Sequence, residues 1–303
     1  MSNVQVSKLK TLTGHQDCVY TLAKSNEPHR FFSAAGDGMV VMWDLNNTET
    51  AELIAKLPNS IYALHYHPEN DLLIAGHNYD GIHLLDWKNK KEIASLQLTK
   101  AAIFDIQSYN DYLFVATGEG VVMKVDLKRL STIAQTAPCE KSARCIAIHR
   151  KRKEIAVGYS DHTIRVFDFE DMKLKKEWAA HTNSVFTVRY SPDGNFLFSG
   201  SRDARLKVWD VKADYLQVTE IVAHLFAINQ LDFSPDGKHF VTCSMDKSIK
   251  VWSTEELKLL KVIDKSRHAG HGTSVNKVLW TSFQNQLLSA SDDRTISTWN
   301  IIF

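Results

Sequence analysis

The sequence has little of what usually marks a secreted, membrane or redox protein. Its four cysteines, Cys18, Cys139, Cys145 and Cys243, show no CxxC spacing. No apolar run approaches the roughly 18 residues that cross a bilayer, and the first ten residues contain no apolar segment of the kind a secretory signal needs. We therefore expect a reduced, cytoplasmic protein with no membrane partner.

An excess of charge of either sign is also absent. Thirty-six basic residues stand against 35 acidic ones, so no global field attracts nucleic acid, and we expect no nucleic-acid partner. One local exception is the basic run from His149 to Lys153. A solvated turn is the favoured interpretation, and contact with a phosphate or an acidic partner is the alternative.

The motifs of the common enzyme classes are missing as well. There is no GxSxG, P-loop, dinucleotide fingerprint or HExxH, and TGEGVV at residues 117–122 lacks the spacing of a phosphate cradle. His65 and His67 share one face of a predicted strand, but no second ligand pair of recognisable spacing accompanies them. We predict that the chain is not an enzyme and has neither a metal nor a cofactor.

What the chain does contain is a repeated spacing. A His is followed 22 residues later by an Asp and 6 residues after that by a Trp, and a Ser or Thr lies four residues before the Asp. The four copies are His15, Ser33, Asp37, Trp43; His181, Ser199, Asp203, Trp209; His224, Thr242, Asp246, Trp252; and His271, Ser289, Asp293, Trp299.

Three weaker units fill the interval between the first and second copies. Their turn acids are Asp80, Glu119 and Asp161, and they lack the His and the Trp-Asp pair, although Asp86-Trp87 resembles that pair in reversed order. With these units the turn acids lie 43, 39, 42, 42, 43 and 47 residues apart. Seven units therefore account for the whole chain, residues 1–303.

Each unit reads as four short strands separated by turns, with no helical periodicity. This pattern predicts an all-β fold, a single seven-bladed β-propeller with four antiparallel strands per blade. The last unit stops after its third strand, TWNIIF, so we expect residues 4–11 to supply its outer strand and close the ring.

These motifs resemble the WD40-repeat family, through Gly14-His15, the SPDG turns, Trp43-Asp44 and Trp209-Asp210 at blade spacing. The resemblance implies that the His, Ser or Thr, Asp and Trp of a unit form one hydrogen-bond network inside a blade. Four copies of such a set cannot be four hydrolase sites, which favours a structural role. It also implies that the third residue of each first strand lies near the channel mouth, where many members bind peptides.

In this sequence that column holds residue types that are enriched at interface hot spots. It consists of Tyr20, Tyr62, Phe104, Arg144, Phe186, Asn229 and Asn276, and each has a small residue two positions earlier. We predict partner contacts at Tyr20, Tyr62, Phe104, Arg144 and Phe186, with Arg202 as a second cation. The alternative is that the rings only fill space between strands, since Phe186 shares strand parity with Val188 and Tyr190.

Together these features predict a non-catalytic scaffold that binds a protein or peptide and is a monomer when alone. The alternative function is a structural subunit of a permanent assembly that contacts its partners through the degenerate blades two to four. A long connection, DKSRHAGHGTS, enters the last unit, and insertions of this kind often flank binding faces.

Overall fold

The computed structural model describes residues 4–303, and within them nearly all regular structure is β-strand. Twenty-eight strands form seven sheets of four strands each, and the paired strands run antiparallel. Short runs rich in β-branched and aromatic residues alternate with turns, which is the composition that favours such sheets. The prediction of seven units with four strands each is confirmed.

The chain divides into two compact units, residues 1–61 with 229–303, and residues 62–228. The first unit begins with a strand that belongs to the last sheet and continues with the first complete sheet, called blade 1. Its strands are β1 (Gln5–Leu12), β2 (Val19–Lys24), β3 (Arg30–Ala35), β4 (Met39–Asp44) and β5 (Ala51–Lys56). Blade 1 consists of β2 to β5 in sequence order.

The second unit contains blades 2 to 5, each again in sequence order. Blade 2 has β6 (Ile61–His67), β7 (Leu72–His77), β8 (Gly81–Asp86) and β9 (Lys91–Leu96). Blade 3 has β10 (Ile103–Tyr109), β11 (Tyr112–Thr117), β12 (Val122–Asp126) and β13 (Ser131–Gln135). Blade 4 has β14 (Ala143–His149), β15 (Glu154–Tyr159), β16 (Thr163–Asp168) and β17 (Leu174–Ala179). Blade 5 has β18 (Val185–Tyr190), β19 (Phe196–Ser201), β20 (Arg205–Asp210) and β21 (Leu216–Val222).

The first unit ends with blades 6 and 7. Blade 6 has β22 (Ile228–Phe233), β23 (His239–Ser244), β24 (Ile249–Ser253) and β25 (Leu259–Ile263). After the helix α1 (Lys265–His268) come β26 (Val275–Trp280), β27 (Leu287–Ser291) and β28 (Ile296–Ile302). Below, strands a to d are the first to fourth strands of a blade.

Blade 7 takes its outer strand from the start of the chain. β1 pairs antiparallel with β28, and the register joins Val6 to Ile301 and Leu12 to Ile296. The strand spans Gln5–Leu12, one residue later than the predicted segment. Apolar residues of this segment, Val4 and Leu12, are buried in the core, so the pairing is reinforced by packing.

The long connection before β26 folds locally into the single turn α1, which the sequence analysis did not predict. The Asp264 carboxylate accepts a hydrogen bond from Arg267 N at the start of the turn, and Ala269 ends it with a left-handed φ of 52°. No helix within residues 4–303 is long and apolar enough to span a membrane.

The register of blade 2 corrects one position of the repeat. In blade 5, Gly200 pairs with Leu206, and the turn acid Asp203 lies midway between them. In blade 2 the corresponding pair is Gly76 and Ile82, so Tyr79 holds the turn position and Asp80 comes one residue later. Likewise Leu85, not Trp87, stands where the other blades place Trp, and Trp87 donates instead to the Asp71 carboxylate at 3.0 Å.

Apolar side chains from neighbouring sheets interlock within each unit. In the second unit, for example, Ala156 and Ile164 of blade 4 pack with Val185 and Leu197 of blade 5. Because these side chains are almost completely buried, the blades form a close-packed core that fixes the position of their loops.

Candidate functional site

The repeated His, Ser, Asp and Trp form one hydrogen-bond chain inside a blade. In blade 5, His181 Nδ1 lies 3.0 Å from Asp203 Oδ2, His181 Nε2 lies 2.8 Å from Ser199 Oγ, and Trp209 Nε1 donates to Ser199 Oγ at 2.9 Å. The same atoms are joined at 2.7–3.1 Å in blade 1, through His15, Ser33, Asp37 and Trp43. They are joined at 2.8–2.9 Å in blade 7, through His271, Ser289, Asp293 and Trp299. In blade 6, Trp252 Nε1 donates to Thr242 Oγ1 at 2.9 Å, and His224 is buried.

The direction of these bonds follows from the donors available. Trp209 can only donate to Ser199, so the Ser199 hydroxyl donates to His181 Nε2, and His181 Nδ1–H donates to the Asp203 carboxylate. Burial lowers the pKa of His181, although Asp203 opposes this shift, and the hydrogen bond from His181 helps to lower the pKa of Asp203 against the effect of burial. The set is therefore a neutral imidazole held by a carboxylate, with its bonding capacity used inside the blade.

Blades 2 to 4 replace this polar set with buried apolar residues. Register places Ala75, Val115 and Val157 at the position of Ser199, and Leu85, Val125 and Phe167 at the position of Trp209. All six are buried. Since both polar partners are replaced together, no hydroxyl or indole nitrogen is left without a partner at these positions.

The column of predicted contact residues lies at a break in the strand pairing. In blades 1, 3, 4, 5 and 7, the register of strand a shifts across a single residue, which is Tyr20, Phe104, Arg144, Phe186 or Asn276. Each is the extra residue of a β-bulge, and a bulge re-aims its side chain away from the regular alternation. The parity of Phe186 with Val188 and Tyr190 therefore does not predict which way its ring points.

Four members of the column, Tyr62, Phe104, Arg144 and Phe186, lie in the second unit and form a continuous row, here called the Arg144 row. The rings of Tyr62 and Phe104 are stacked, with centroids 5.9 Å apart and an interplanar angle of 17°. Arg144 Cζ lies 3.8 Å from the Phe104 ring centroid and 5.0 Å from that of Phe186. A guanidinium between two ring faces is a favourable cation–π arrangement.

The Arg144 guanidinium has no hydrogen-bond or ion-pair partner within residues 4–303. Its surroundings are poor in water, and this desolvation lowers the pKa of Arg144, with smaller opposing effects from Cys145 and Tyr62. The group stays charged, because the pKa of arginine starts far above neutrality. The row therefore combines apolar ring area with an unneutralised cation.

Tyr20 and Arg202, the other two predicted contact residues, are not members of the Arg144 row. Tyr20, in the first unit, is half-buried at the bulge of β2, and Arg202, in the turn between β19 and β20, is exposed. The Arg202 backbone N–H donates to Ser184 O at 2.9 Å, which fixes the turn, and the guanidinium has no ion-pair partner in the described part of the chain.

The two asparagines of the column are engaged in structural hydrogen bonds. Asn229 Nδ2 donates to Val275 O at 2.8 Å, and Asn276 Nδ2 donates to the Asp292 carboxylate at 2.7 Å. The small residues before the column also have a structural use, since the Ser142 and Ser184 hydroxyls donate to the turn carbonyls of Gly118 and Ser160 in the preceding blades.

The histidine pair and the basic turn identified in the sequence make local contacts within the protein. His65 Nε2 lies 2.7 Å from Ser108 Oγ, and His67 Nε2 donates to Asn110 O at 2.7 Å. In the basic turn, Arg152 pairs with Glu154 at 2.9 Å, and Arg150 lies over the Tyr109 ring at 5.4 Å. These contacts favour a structural role for both groups.

A separate cavity of about 530 Å³ lies in the second unit among Cys139, Tyr159, Arg165 and Glu177. None of the predicted contact residues lines it. Arg165 already pairs with Asp161 and Glu177 across this space, at 2.7 and 3.0 Å, so its charge is neutralised from within the blade.

A search of solved structures finds a WD40 β-propeller domain, that of Doa1, with a TM-score of 0.86 over 99% of this chain and 97% of the matched chain. Sequence identity is 16%, so this likeness shows the fold alone. It confirms the predicted fold class, a seven-bladed propeller with four antiparallel strands per blade.

Curated relatives match at low identity. The 66 kDa stress protein of Physarum polycephalum is 25% identical over 96% of this chain, and THO complex subunit 3 of Arabidopsis thaliana is 25% identical over 66% of it. WD repeat-containing protein 91 of Xenopus tropicalis is 22% identical over 61%. The chain spans 48%, 64% and 28% of the length of these three relatives.

The family model "WD domain, G-beta repeat" matches residues 6–44, 172–210, 216–253 and 263–300, which together make up half of the chain. Each matched stretch ends one residue after a Trp of the repeated network, and blades 2 and 3 lie wholly outside these stretches. The hydrogen-bonded blades thus carry the family signature, and the chain belongs to the WD40-repeat family.

Proposed function

We propose that this chain is a non-catalytic scaffold that binds a protein or peptide through the Arg144 row, with Arg202 as a second cation and Tyr20 as a separate contact in the first unit. The observation that carries the proposal is the Arg144 guanidinium, which lies between the Phe104 and Phe186 rings and has no acidic partner within residues 4–303. Members of the WD40 family generally bind proteins, and the Arabidopsis relative is by name a subunit of a complex.

The row suits a partner with an exposed carboxylate beside an apolar side chain. A carboxylate can accept two parallel hydrogen bonds from a guanidinium, and the Tyr62 and Phe104 rings offer apolar area next to it. Both the rings and the guanidinium are held by neighbouring side chains on paired strands, so little conformational entropy is lost when a ligand binds. We expect the free protein to be a cytoplasmic monomer that binds neither nucleic acid nor membranes.

The alternative function is a permanent structural subunit that meets its partners through blades 2 to 4. The missing networks in those blades suggest this alternative, but the buried residues Val115, Val125, Val157 and Phe167 fill the corresponding positions with apolar side chains. Blades packed in this way do not need a neighbour to satisfy them, which favours the Arg144 row.

Paired affinity capture from native lysate tests the proposal. The baits are the wild type and the variant Tyr62→Ala/Phe104→Ala/Arg144→Ala, and the recovered proteins are compared by mass spectrometry. A matched control is Tyr109→Ala/Arg150→Ala, which removes another ring and guanidinium pair in the same unit.

We expect partners to be lost with the triple variant and kept with the control, provided that circular dichroism shows both to be folded. Recovery of the same partners with all three baits would overturn the assignment of the row, and variants on the outer strands of blades 2 to 4 would then test the alternative.

A further inference from the structure

Two histidines and an aspartate converge at the turn between β7 and β8 in blade 2. One ligand atom from each of His77, Asp80 and His83 lies within 4.8 Å of the others. Asp80 Oδ2 is 3.7 Å from His83 Nε2 and 4.0 Å from His77 Nδ1, and the two imidazoles meet edge to face with centroids 5.3 Å apart. No part of the proposed binding function uses these residues.

The hydrogen bond of His83 to strand d leaves one ring nitrogen facing this cluster. His83 Nδ1 lies 3.0 Å from Glu92 Oε1, and since a carboxylate only accepts, Nδ1 carries the proton. Nε2 then presents a lone pair. It is buried, has no hydrogen-bond partner within residues 4–303, and faces the Asp80 carboxylate, which offers no proton. A buried lone pair opposite a carboxylate is unfavourable unless a cation, either a proton on Nε2 or a metal ion, lies between them.

The chemistry of the donors indicates which cation fits. Two imidazoles and one carboxylate suit Zn²⁺ and related first-row ions, whereas Mg²⁺ and Ca²⁺ prefer sets made of oxygen alone. The bond from His83 to Glu92 matches the carboxylate–histidine–metal arrangement in which an outer carboxylate orients the ligand.

The backbone holds the two strands so that the site stays open on one side. Gly81 has a φ of 128°, and a Cβ there would lie 2.1 Å from Leu96 O, so the turn packs directly against the start of the connection that follows strand d. The His77 and His83 imidazoles are buried, while the Asp80 side chain is 51% exposed and can move the short distance needed to complete the ligand set. Three protein ligands with one open position is the usual arrangement of a non-structural zinc site.

We propose that His77, Asp80 and His83 form a Zn²⁺ site in blade 2, with Glu92 orienting His83. The site is independent of the Arg144 row, and neither proposal depends on the other. Sequence analysis passed over it because the ligands are separated by a turn and lie outside any recognised ligand spacing, and only the pairing of β7 with β8 brings His77 and His83 together.

The test is a calorimetric titration of the tag-free, chelator-treated full chain with Zn²⁺. We expect one saturable ion per chain in the wild type, loss of this binding in His83→Gln and Asp80→Asn, and retention in His65→Gln. The last variant removes another histidine of the same blade that lies outside the cluster. Glu92→Gln should weaken affinity by about ten- to a hundredfold, the usual cost of losing an outer carboxylate.

Two outcomes would overturn the site. One is the absence of saturable Zn²⁺ binding in the wild type. The other is unchanged binding in Asp80→Asn, which would assign the metal to groups elsewhere, such as the partly exposed Cys18 and Cys139 thiols. Asp80 lies in a half-exposed turn, so its variant keeps the test valid even if His83→Gln fails to fold.

Discussion

At the scale of single residues, the repeated spacing of His, Ser, Asp and Trp is explained by one chain of hydrogen bonds. Each hydrogen bond fixes the direction of the next, from the Trp209 indole through Ser199 and His181 to Asp203. Because all members are buried or nearly so, removing one leaves its neighbour unsatisfied rather than rehydrated.

The first prediction concerns the coupling within this chain. We expect His181→Ala and Asp203→Ala each to lower the free energy of unfolding by about 1–3 kcal/mol, the cost of leaving a buried polar group unpaired. The double variant should lose much less than the sum, because the second substitution removes a group that has already lost its partner. Urea unfolding of the four proteins measures this cycle, and strict additivity would show that the two side chains are not coupled.

The second prediction is a pH dependence with a definite sign. Burial lowers the pKa of His15 and His181 below about 6.5, the value expected in the unfolded chain. Between the folded and unfolded values the unfolded state binds more protons, so the stabilisation is complete above about pH 6.5 and is lost as the pH falls toward the folded pKa. We expect urea midpoints to be lower at pH 5.5 than at pH 7.5.

His181→Gln separates this effect from other groups. The pKa values of His77 and His239 are also lowered, mainly by burial, and contribute a slope of the same sign. The variant should therefore show a smaller loss between pH 7.5 and 5.5 than the wild type. An equal loss in both proteins would show that His181 does not titrate in this range.

At the scale of strands and blades, the strand b position of Ser199 holds a polar residue in some blades and an apolar residue in others. Ser199 bonds to His181 and Trp209 in blade 5, whereas Val157 at the same register position lies in a buried apolar cluster with Phe167 in blade 4. Neither arrangement leaves a buried polar group at these positions without a partner, because the residues at the Ser199 and Trp209 positions are polar together in blade 5 and apolar together in blade 4.

The third prediction follows from this interchange. Val157→Ser and Ser199→Val should both destabilise the protein by about 1–3 kcal/mol, the first by burying a hydroxyl without its partners and the second by leaving His181 and Trp209 unpaired. Thermal unfolding monitored by tryptophan fluorescence and circular dichroism measures both. An unchanged stability of the Val157→Ser variant would mean that a water or a backbone carbonyl accepts a hydrogen bond from the new hydroxyl in blade 4.

Blades also show where sequence reasoning reaches its limit. The four strong repeats and the count of seven were predictable, because buried networks require fixed residue types at fixed spacings. The β-bulges at Phe104 and Arg144 were not, since a bulge adds one residue to a strand without a marker in its composition. The position of Tyr79 in blade 2 was missed for the same reason, because an acid one residue later fits the repeat equally well.

The candidate site was only partly predictable on the same grounds. Aligning the first strands identified the column that contains Phe104, Arg144 and Phe186, but the stacking of Arg144 between two rings depends on how adjacent blades approach each other. The hydrogen bonds of Asn229 to Val275 O and of Asn276 to Val19 O join residues that are distant in sequence, and one aligned column carries no information about them.

At the scale of the whole molecule, the pairing of β1 with β28 joins the two ends of the described chain into one sheet. Without β1, strand β28 would expose a full row of unpaired backbone groups and the apolar side of Ile301. An exposed edge of this kind invites pairing with another chain.

The fourth prediction is that deleting residues 1–12 lowers the thermal midpoint and produces concentration-dependent oligomers in size-exclusion chromatography. Adding a synthetic peptide of residues 4–12 should reverse the oligomerisation, and a scrambled peptide of the same composition should not. A truncated protein that stays monomeric with an unchanged midpoint would show that this edge is protected in some other way.

The pairing of β1 with β28 also has a consequence during synthesis on the ribosome. The segment that forms β1 is made before its partner strand, which follows about 15–60 s later at about 5–20 residues per second. For that whole interval a strand that contains the apolar residues Val6, Leu9 and Leu12 has no partner. A nascent chain of this kind is a natural client for chaperones that bind extended segments, and completion of blade 7 is the step that would release it.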